Sequence, residues 1–229
     1  MTMRADTFAA RTICASNAVA IDMARATNGA DWQTRAALLT PISKAFCTDV
    51  ANEVASDGLQ VFGGMGFIEE TGASQYARDA RILPIYEGTN GIQAMDLVAR
   101  KMADGGDGAN ALLDEIVAGT KAAQDRHADM AKAVYSAAET LREAVDYLTG
   151  QGDLNARFAV AVPFLRAFAR VLGGHFHLQA ALSEKSAGPR TALAEFYINR
   201  MLPEHQGLCD TLRQGTDGLY ALSPEEMLA

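Results

Sequence analysis

The sequence predicts an all-α chain, and three observations lead there: alanine is its commonest residue, only six prolines are spread over 229 positions, and runs of β-branched residues are short. Alanine costs least to place in a helix and proline most, whereas strands favour the β-branched and aromatic types that are sparse here. Little or no sheet is expected. With 49% apolar residues the chain can bury a core, as one large or two modest domains.

The first predicted helix covers about 6–26, where Phe8, Ile13, Val19, Ile21 and Met23 are interleaved with Arg11, Asn17, Asp22 and Arg25. It has no lead-in and no cap, which reads as a chain cut, or begun, inside a longer protein. Asn28-Gly29-Ala30-Asp31 interrupts the pattern, and a long second helix is expected over 33–61 with Leu38, Leu39, Ile42, Phe46, Val50, Val54 and Leu59 on its apolar side. Pro41 either kinks that helix or marks its effective start. Phe62-Gly63-Gly64-Met65-Gly66-Phe67 stops it, since glycines lose the most backbone freedom in a helix.

A short helix near 71–79 and a loop over 81–88 follow. Thr89 is placed as the N-cap of a helix from 90 to about 102, its hydroxyl satisfying a free first-turn N–H, which leaves Glu87 just ahead of a helix start. The stretch 103–109, with three glycines and two aspartates, reads as a linker with nothing to bury. It divides the chain into 1–102 and 110–229. Helices are then expected over 110–121, 123–149, 153–184 and 188–215, making a second bundle. The third of these is apolar almost throughout and should sit centrally.

Twenty basic against 28 acidic residues, and a pI near 5.0, leave no positive excess for a nucleic-acid backbone, although a local pocket for one pyrophosphate needs only a few donors. Cys14, Cys47 and Cys209 are odd in number, far apart in sequence and lack metal-ligand spacing, so a reduced, cytoplasmic setting and no metal are expected. No apolar stretch approaches the roughly 20 residues of a membrane span, and the N-terminus has no signal-peptide form.

Three segments of the first half invite chemistry. Gly63, Gly64 and Gly66 would let a ligand approach the backbone, but taken alone the plainer reading is that they end a helix, and no strand precedes them as a dinucleotide fold requires. Tyr76-Ala77-Arg78-Asp79-Ala80-Arg81 holds an ion pair or faces water. Glu87 lies on a loop flanked by Ile85, Tyr86 and Gly88, and a carboxylate among apolar groups is a candidate base for a carbon-bound proton. Taken singly, a capping or solvated glutamate is the plainer reading.

Taken together, Lys44-Ala45-Phe46, the run from Asp57 through Gln60-Val61-Phe62-Gly63-Gly64 to Phe67, Arg78-Asp79-Ala80-Arg81-Ile82 and Ile85-Tyr86-Glu87-Gly88-Thr89 resemble, in order and spacing, the C-terminal helical domain of the flavin-dependent acyl-CoA dehydrogenases. The resemblance covers about residues 3–102, and the remaining helices resemble the extension of larger bacterial members. It implies that Glu87 is the base that removes the substrate's α-proton while hydride passes to FAD, and that Gly88 lets the acyl-CoA thioester lie close to the backbone. It implies that Gln60, Val61, Phe62, Gly63 and Gly64 touch the adenosine diphosphate part of FAD in a neighbouring subunit, hence a dimer or dimer of dimers, and that Thr89 and Asn90 lie beside the FAD phosphates. Gly91 stands where many short- and medium-chain members carry a glutamine that contacts FAD. Electron-transfer flavoprotein is the implied electron acceptor, or oxygen for an acyl-CoA oxidase. The family's amino-terminal and middle domains would precede Met1, so the resemblance also implies an isolated chain that is inactive. The reading from another class is a helical assembly module without chemistry, against which the intact Tyr86-Glu87-Gly88-Thr89 speaks.

Overall fold

The computed structural model describes residues 1–228, and among them there is no strand. Eleven α-helices follow in order: α1 Thr2–Thr27, α2 Ala30–Phe62, α3 Gly64–Phe67, α4 Ala73–Arg81, α5 Asn90–Asp96, α6 Asp107–Ala123, α7 Ala128–Gly150, α8 Leu154–Ala159, α9 Ala161–Leu182, α10 Pro189–Arg200 and α11 Glu204–Arg213. α5 continues into a π-helical turn, Leu97–Lys101, and short 3-10 turns cover Glu69–Thr71 and Glu226–Leu228. No helix among the described residues is long and apolar enough to cross a membrane.

α1 and α2 form a long hairpin whose turn is made by Asn28, left-handed at φ 51°, with its N–H donated to the Ala24 carbonyl. α1 buries Ala5, Ala9, Ala10, Ile13 and Ala20, and α2 buries Leu38, Leu39, Ile42, Ala45 and Phe46; small side chains on one helix let the larger ones of the other pack closely. Pro41 neither starts nor ends α2. The helix begins at Ala30 and carries the buried proline within it, because burial of the flanking apolar side chains outweighs one lost backbone bond.

Two expected helices are each divided. The stretch 153–184 breaks at Val160, where φ is −112° and ψ 7°, three residues before Pro163. The stretch 188–215 breaks at Met201–Leu202, just before Pro203, which cannot donate a backbone N–H. The central position expected for the apolar segment belongs to α9, which packs against α1, α2 and α5 from the first half and α6, α7, α10 and α11 from the second. One hydrophobic core therefore runs through both halves of the chain. Gly173 and Gly174 make this possible: a Cβ on Gly173 would lie 2.2 Å from the Tyr197 hydroxyl, and one on Gly174 3.2 Å from Leu202.

The halves are also joined by charge. Buried Arg170 of α9 reaches Asp6 of α1 and Glu204 of α11, and Arg166 reaches Glu204 and, at 2.8 Å, Glu53 of α2. The Tyr197 hydroxyl donates to the Arg170 carbonyl at 3.2 Å, and the guanidinium lies 5.3 Å from the centre of the Phe46 ring. Nor is 103–109 a free linker. Met102, Gly106 and Ala109 are buried, the Asp104 carboxylate accepts from the Gly106 and Gly108 N–H groups at 2.9 Å each, and Gly106 rests against Val145.

Candidate functional site

The candidate residues lie along the outer face of the first half, at the two ends of a stretch that α2 positions. At one end, Gly63 closes α2 in a conformation of φ 60° and ψ −144°, its N–H donated to Gln60 at 3.0 Å, and the chain restarts at once as α3. Gly66 has a local reason to be glycine, since a Cβ there would come within 2.4 Å of the Leu59 carbonyl oxygen. A Cβ on Gly63 or Gly64 would meet nothing within 4 Å, so this edge of backbone is open. Val61 and Phe67, 74% and 88% exposed, stand beside exposed Phe62 and Met65 as an uncovered apolar patch.

α4 is tied to α2 by the Asn52 amide, which donates to the Ala80 carbonyl at 2.9 Å. Arg78 pairs in bidentate fashion with Glu69 at 2.6 and 3.0 Å, an exposed pair that orders the short turn and contributes little stability. Between α2 and α4 lies an open groove of about 730 Å³, walled by Asn52, Ser56, Arg78, Arg81 and Pro84.

The loop from Ile82 to Thr89 is a succession of turns. Tyr86 N–H donates to the Ile82 carbonyl at 3.2 Å, and Asn90 N–H reaches back to Pro84 at 3.0 Å. Thr89 caps α5 as expected, its hydroxyl accepting from Ile92 N–H at 3.3 Å. Glu87 has φ 53°, one of two described non-glycine residues in the left-handed region, and Gly88 follows at φ 89°. Holding a non-glycine residue there costs on the order of 1–3 kcal/mol and persists only where the surroundings impose it. The Glu87 side chain is exposed and has no hydrogen-bond partner among the described residues. Gln93 braces the loop from beneath, its amide 3.4 Å from the Glu87 carbonyl.

The anchor of this loop is Asn90. Its amide nitrogen donates to the Ala45 carbonyl (3.0 Å), the Thr48 hydroxyl (2.9 Å) and Asp49 (2.7 Å), and its oxygen accepts from Lys44 at 2.9 Å and the Thr48 hydroxyl at 3.1 Å. Burial raises the Asp49 carboxyl above the ordinary carboxylate range, against the hydrogen bond from Asn90. The Asn90 side chain is thus occupied by α2, and the residues that hold it, Lys44, Thr48 and Asp49, escaped the sequence reading of the site. Two signals bore on them: Lys44 stands in a segment of the family resemblance without a role attached to it, and the 44, 48 spacing puts both residues on one face of a helix. A small cavity of about 170 Å³ lies beside Asn90 and Gly91, closed by Phe46, Leu165 and Arg166.

The structure brings Glu87, Gly88, Thr89, Asn90 and Gly91 together and keeps Gln60, Val61, Phe62, Gly63 and Gly64 apart from them. Asn90 is seated at Asp49, and Gln60 lies 11 residues further along the same helix, roughly 16 Å at the usual helical rise. No group of three or more metal-ligating side chains occurs among the described residues.

Residues 1–103 match the family model described as the acyl-CoA dehydrogenase C-terminal domain, and residues 110–223 match the one described as acetyl-CoA dehydrogenase C-terminal like. Over 174 residues, 73% of this chain, the sequence is 41% identical to the 3-methylmercaptopropionyl-CoA dehydrogenase of Ruegeria pomeroyi, of which it covers 29%. Over 61 residues, 27% of the chain, it is 43% identical to the butyryl-CoA dehydrogenase of Syntrophomonas wolfei, of which it covers 10%. The chain therefore spans less than a third of the length of these relatives. Among solved structures it is similar to ACDH-11 of Caenorhabditis elegans in complex with C11-CoA, with a TM-score of 0.74, 20% identity and coverage of 96% of this chain and 39% of that one, a likeness of fold.

Proposed function

The chain belongs to the acyl-CoA dehydrogenase family, and from that premise we propose that it is the C-terminal helical portion of a flavin-dependent member that dehydrogenates an acyl-CoA thioester between its α and β carbons. The observation that carries this reading is the Glu87 carboxylate, exposed, without a partner among the described residues, and set on left-handed backbone by a loop pinned through Asn90. Free carboxylate oxygens in a fixed place are what proton abstraction from carbon requires.

In this reading the α-proton passes to a Glu87 oxygen. Gly88, without a side chain, gives the thioester room at the backbone, where an N–H meets the negative charge developing on its carbonyl oxygen. FAD, when bound, supplies the two-electron acceptor for the β-hydrogen. Thr89 and the backbone of Asn90 would stand beside the FAD phosphates, held there by the bonds of the Asn90 side chain to α2, and Gly91 would border FAD at the position where many relatives carry a glutamine. Gln60, Val61, Phe62, Gly63 and Gly64 meet the adenosine diphosphate end of FAD in a neighbouring subunit of a dimer or dimer of dimers. Supporting this are the open backbone at Gly63 and Gly64, the apolar patch around it, and its separation from Glu87 along α2. Electron-transfer flavoprotein is the acceptor that re-oxidises the enzyme. The name of the 41% identical relative makes a short sulfur-containing acyl-CoA the first substrate to try.

The test is a complete polypeptide containing this region, assayed for acyl-CoA-dependent reduction of an artificial electron acceptor. Glu87→Gln should lower turnover by about 10²–10⁴-fold and leave the bound-flavin absorbance in place; turnover at the parent rate refutes the assignment. The isolated 229-residue chain should be colourless and inactive, and a yellow, active preparation refutes that part.

A further inference from the structure

Cys14 and Cys47, 33 residues apart in sequence, face each other across the α1–α2 hairpin with their sulfur atoms 3.4 Å apart. Cys14 is exposed, while Cys47 is half-buried behind it and lies 3.3 Å from the Ala10 carbonyl, to which its thiol donates. Two thiols in contact, one facing solvent and one sheltered, are the arrangement of an attacking and a resolving cysteine. Both stand on the same pair of packed helices, so neither needs a change of fold to reach the other.

We propose that Cys14 and Cys47 form a redox-active dithiol, a modification site at which a hydroperoxide oxidises the pair to a disulfide that ties α1 to α2. The Cys14 thiolate attacks one peroxide oxygen, the O–O bond breaks, and hydroxide (as water once protonated) leaves a sulfenic acid on Cys14. The Cys47 sulfur, giving up its proton, then attacks the Cys14 sulfur and releases a second water as the S–S bond forms. Two electrons pass from the two thiols to one hydroperoxide, hydrogen peroxide itself yielding two waters. The chemistry of the pair favours this order: once Cys14 ionises, the Cys47 S–H can turn from the Ala10 carbonyl to the Cys14 sulfur 3.4 Å away, and that bond lowers Cys14 to about 7 while it raises Cys47 and keeps it protonated until it is called on. Cys209 is buried in α11, where burial raises its thiol to about 11, and takes no part.

The proposal is independent of the role of Glu87. It adds a covalent tie directly behind the loop anchor, because Cys47 lies on α2 between Lys44 and Thr48, both bonded to Asn90. The test treats the folded chain with a small molar excess of hydrogen peroxide and reads intact mass and peptide maps. Expected is a loss of about 2 Da, reversed by dithiothreitol, with the peptides of Cys14 and Cys47 joined, absent in Cys14→Ser and Cys47→Ser and retained in Cys209→Ser. In Cys47→Ser, dimedone should trap the sulfenic acid on Cys14. Helical circular dichroism of each variant checks that it is folded, and alkylation of wild-type Cys14 with iodoacetamide beforehand should block the reaction without any substitution. An unchanged mass, over-oxidation of Cys14 with Cys47 left free, or disulfide-linked dimers through Cys14 would each overturn the proposal.

Discussion

His177 should make the fold acid-sensitive well above the range where carboxylates titrate. Its ring is buried in α9, stacked on Tyr197 at 4.4 Å and tilted against Phe8 at 4.6 Å, with Nε2 3.1 Å from the Ala5 carbonyl. Burial lowers it to about 4, the bond to Ala5 opposing, from about 6.5 in the unfolded chain. The sign follows from where each state takes its proton. Above pH 6.5 neither is protonated and the contribution is fully present. Between 6.5 and 4 the unfolded chain gains a proton that the folded one refuses, so stability falls as the pH falls through that window. A difference of this size corresponds to about 3 kcal/mol, or roughly 6–12 °C in Tm for a chain of this length. His177→Gln keeps a donor for Ala5 and cannot titrate. Urea unfolding of both proteins from pH 7.5 to 4.5 should show the parent losing about 2.5 kcal/mol more than the variant, most of the full difference. A gap between the two curves that stays constant across that range would refute the reasoning.

The other buried contacts make sharper local predictions. Arg170→Met leaves Asp6 buried without its partner and should cost about 3–5 kcal/mol by denaturant melt, with Asp6→Leu in the same chain recovering a substantial part. Gly173→Ala drives a methyl to 2.2 Å from the Tyr197 hydroxyl and should cost about 1–3 kcal/mol; adding Tyr197→Phe should restore part of it, and failure to do so would move the clash elsewhere. Asn90→Ala removes the anchor of the loop from Lys44, Thr48 and Asp49, so exchange of the backbone N–H at position 90, which bonds to the Pro84 carbonyl, should quicken by roughly 10–100-fold while α9 keeps its protection.

How much of this was legible in the sequence depended on whether the cause was local. The all-helical class, the Thr89 cap and the central apolar segment rest on propensity, a short capping pattern and composition, and each stands in the structure. Pro41 left two readings open, a kink within the helix or its start, because its penalty is local; what places it inside is not, since the helix is held by core contacts far along the chain. The glycines and aspartates of 103–109 read as solvent-facing for the same reason, although Gly106 is small to fit Val145 and Asp104 to cap the next turn. Every long-range pairing was out of reach of periodicity. Nothing within 14 residues of Cys14 announces Cys47, and Asp6 reads as an ordinary surface charge until Arg170, 164 positions on, is brought to it. The resemblance put Glu87 and its neighbours on one loop; what it could not supply was that the Asn90 side chain turns inward.

Glu87 offers the sharpest separation of stability from chemistry, because its backbone conformation is one its own residue type disfavours. At φ 53° a glutamate is strained, whereas asparagine visits the left-handed region with little penalty and brings no extra freedom to the unfolded chain as glycine would. The Glu87 carboxylate makes no hydrogen bond among the described residues that asparagine would forfeit, and the brace from Gln93 reaches its carbonyl, which every residue has. Glu87→Asn should therefore leave the chain as stable as before or stabler by about 0.5–1 kcal/mol. The same change in a complete enzyme should remove the proton acceptor and with it the turnover. A substitution that relieves the fold and abolishes the reaction marks a residue retained for chemistry at the expense of stability. Destabilisation by more than about 1 kcal/mol, beyond the usual effect of a surface change, would mean that the Glu87 side chain supports the loop, and would argue for a structural role in place of the catalytic one.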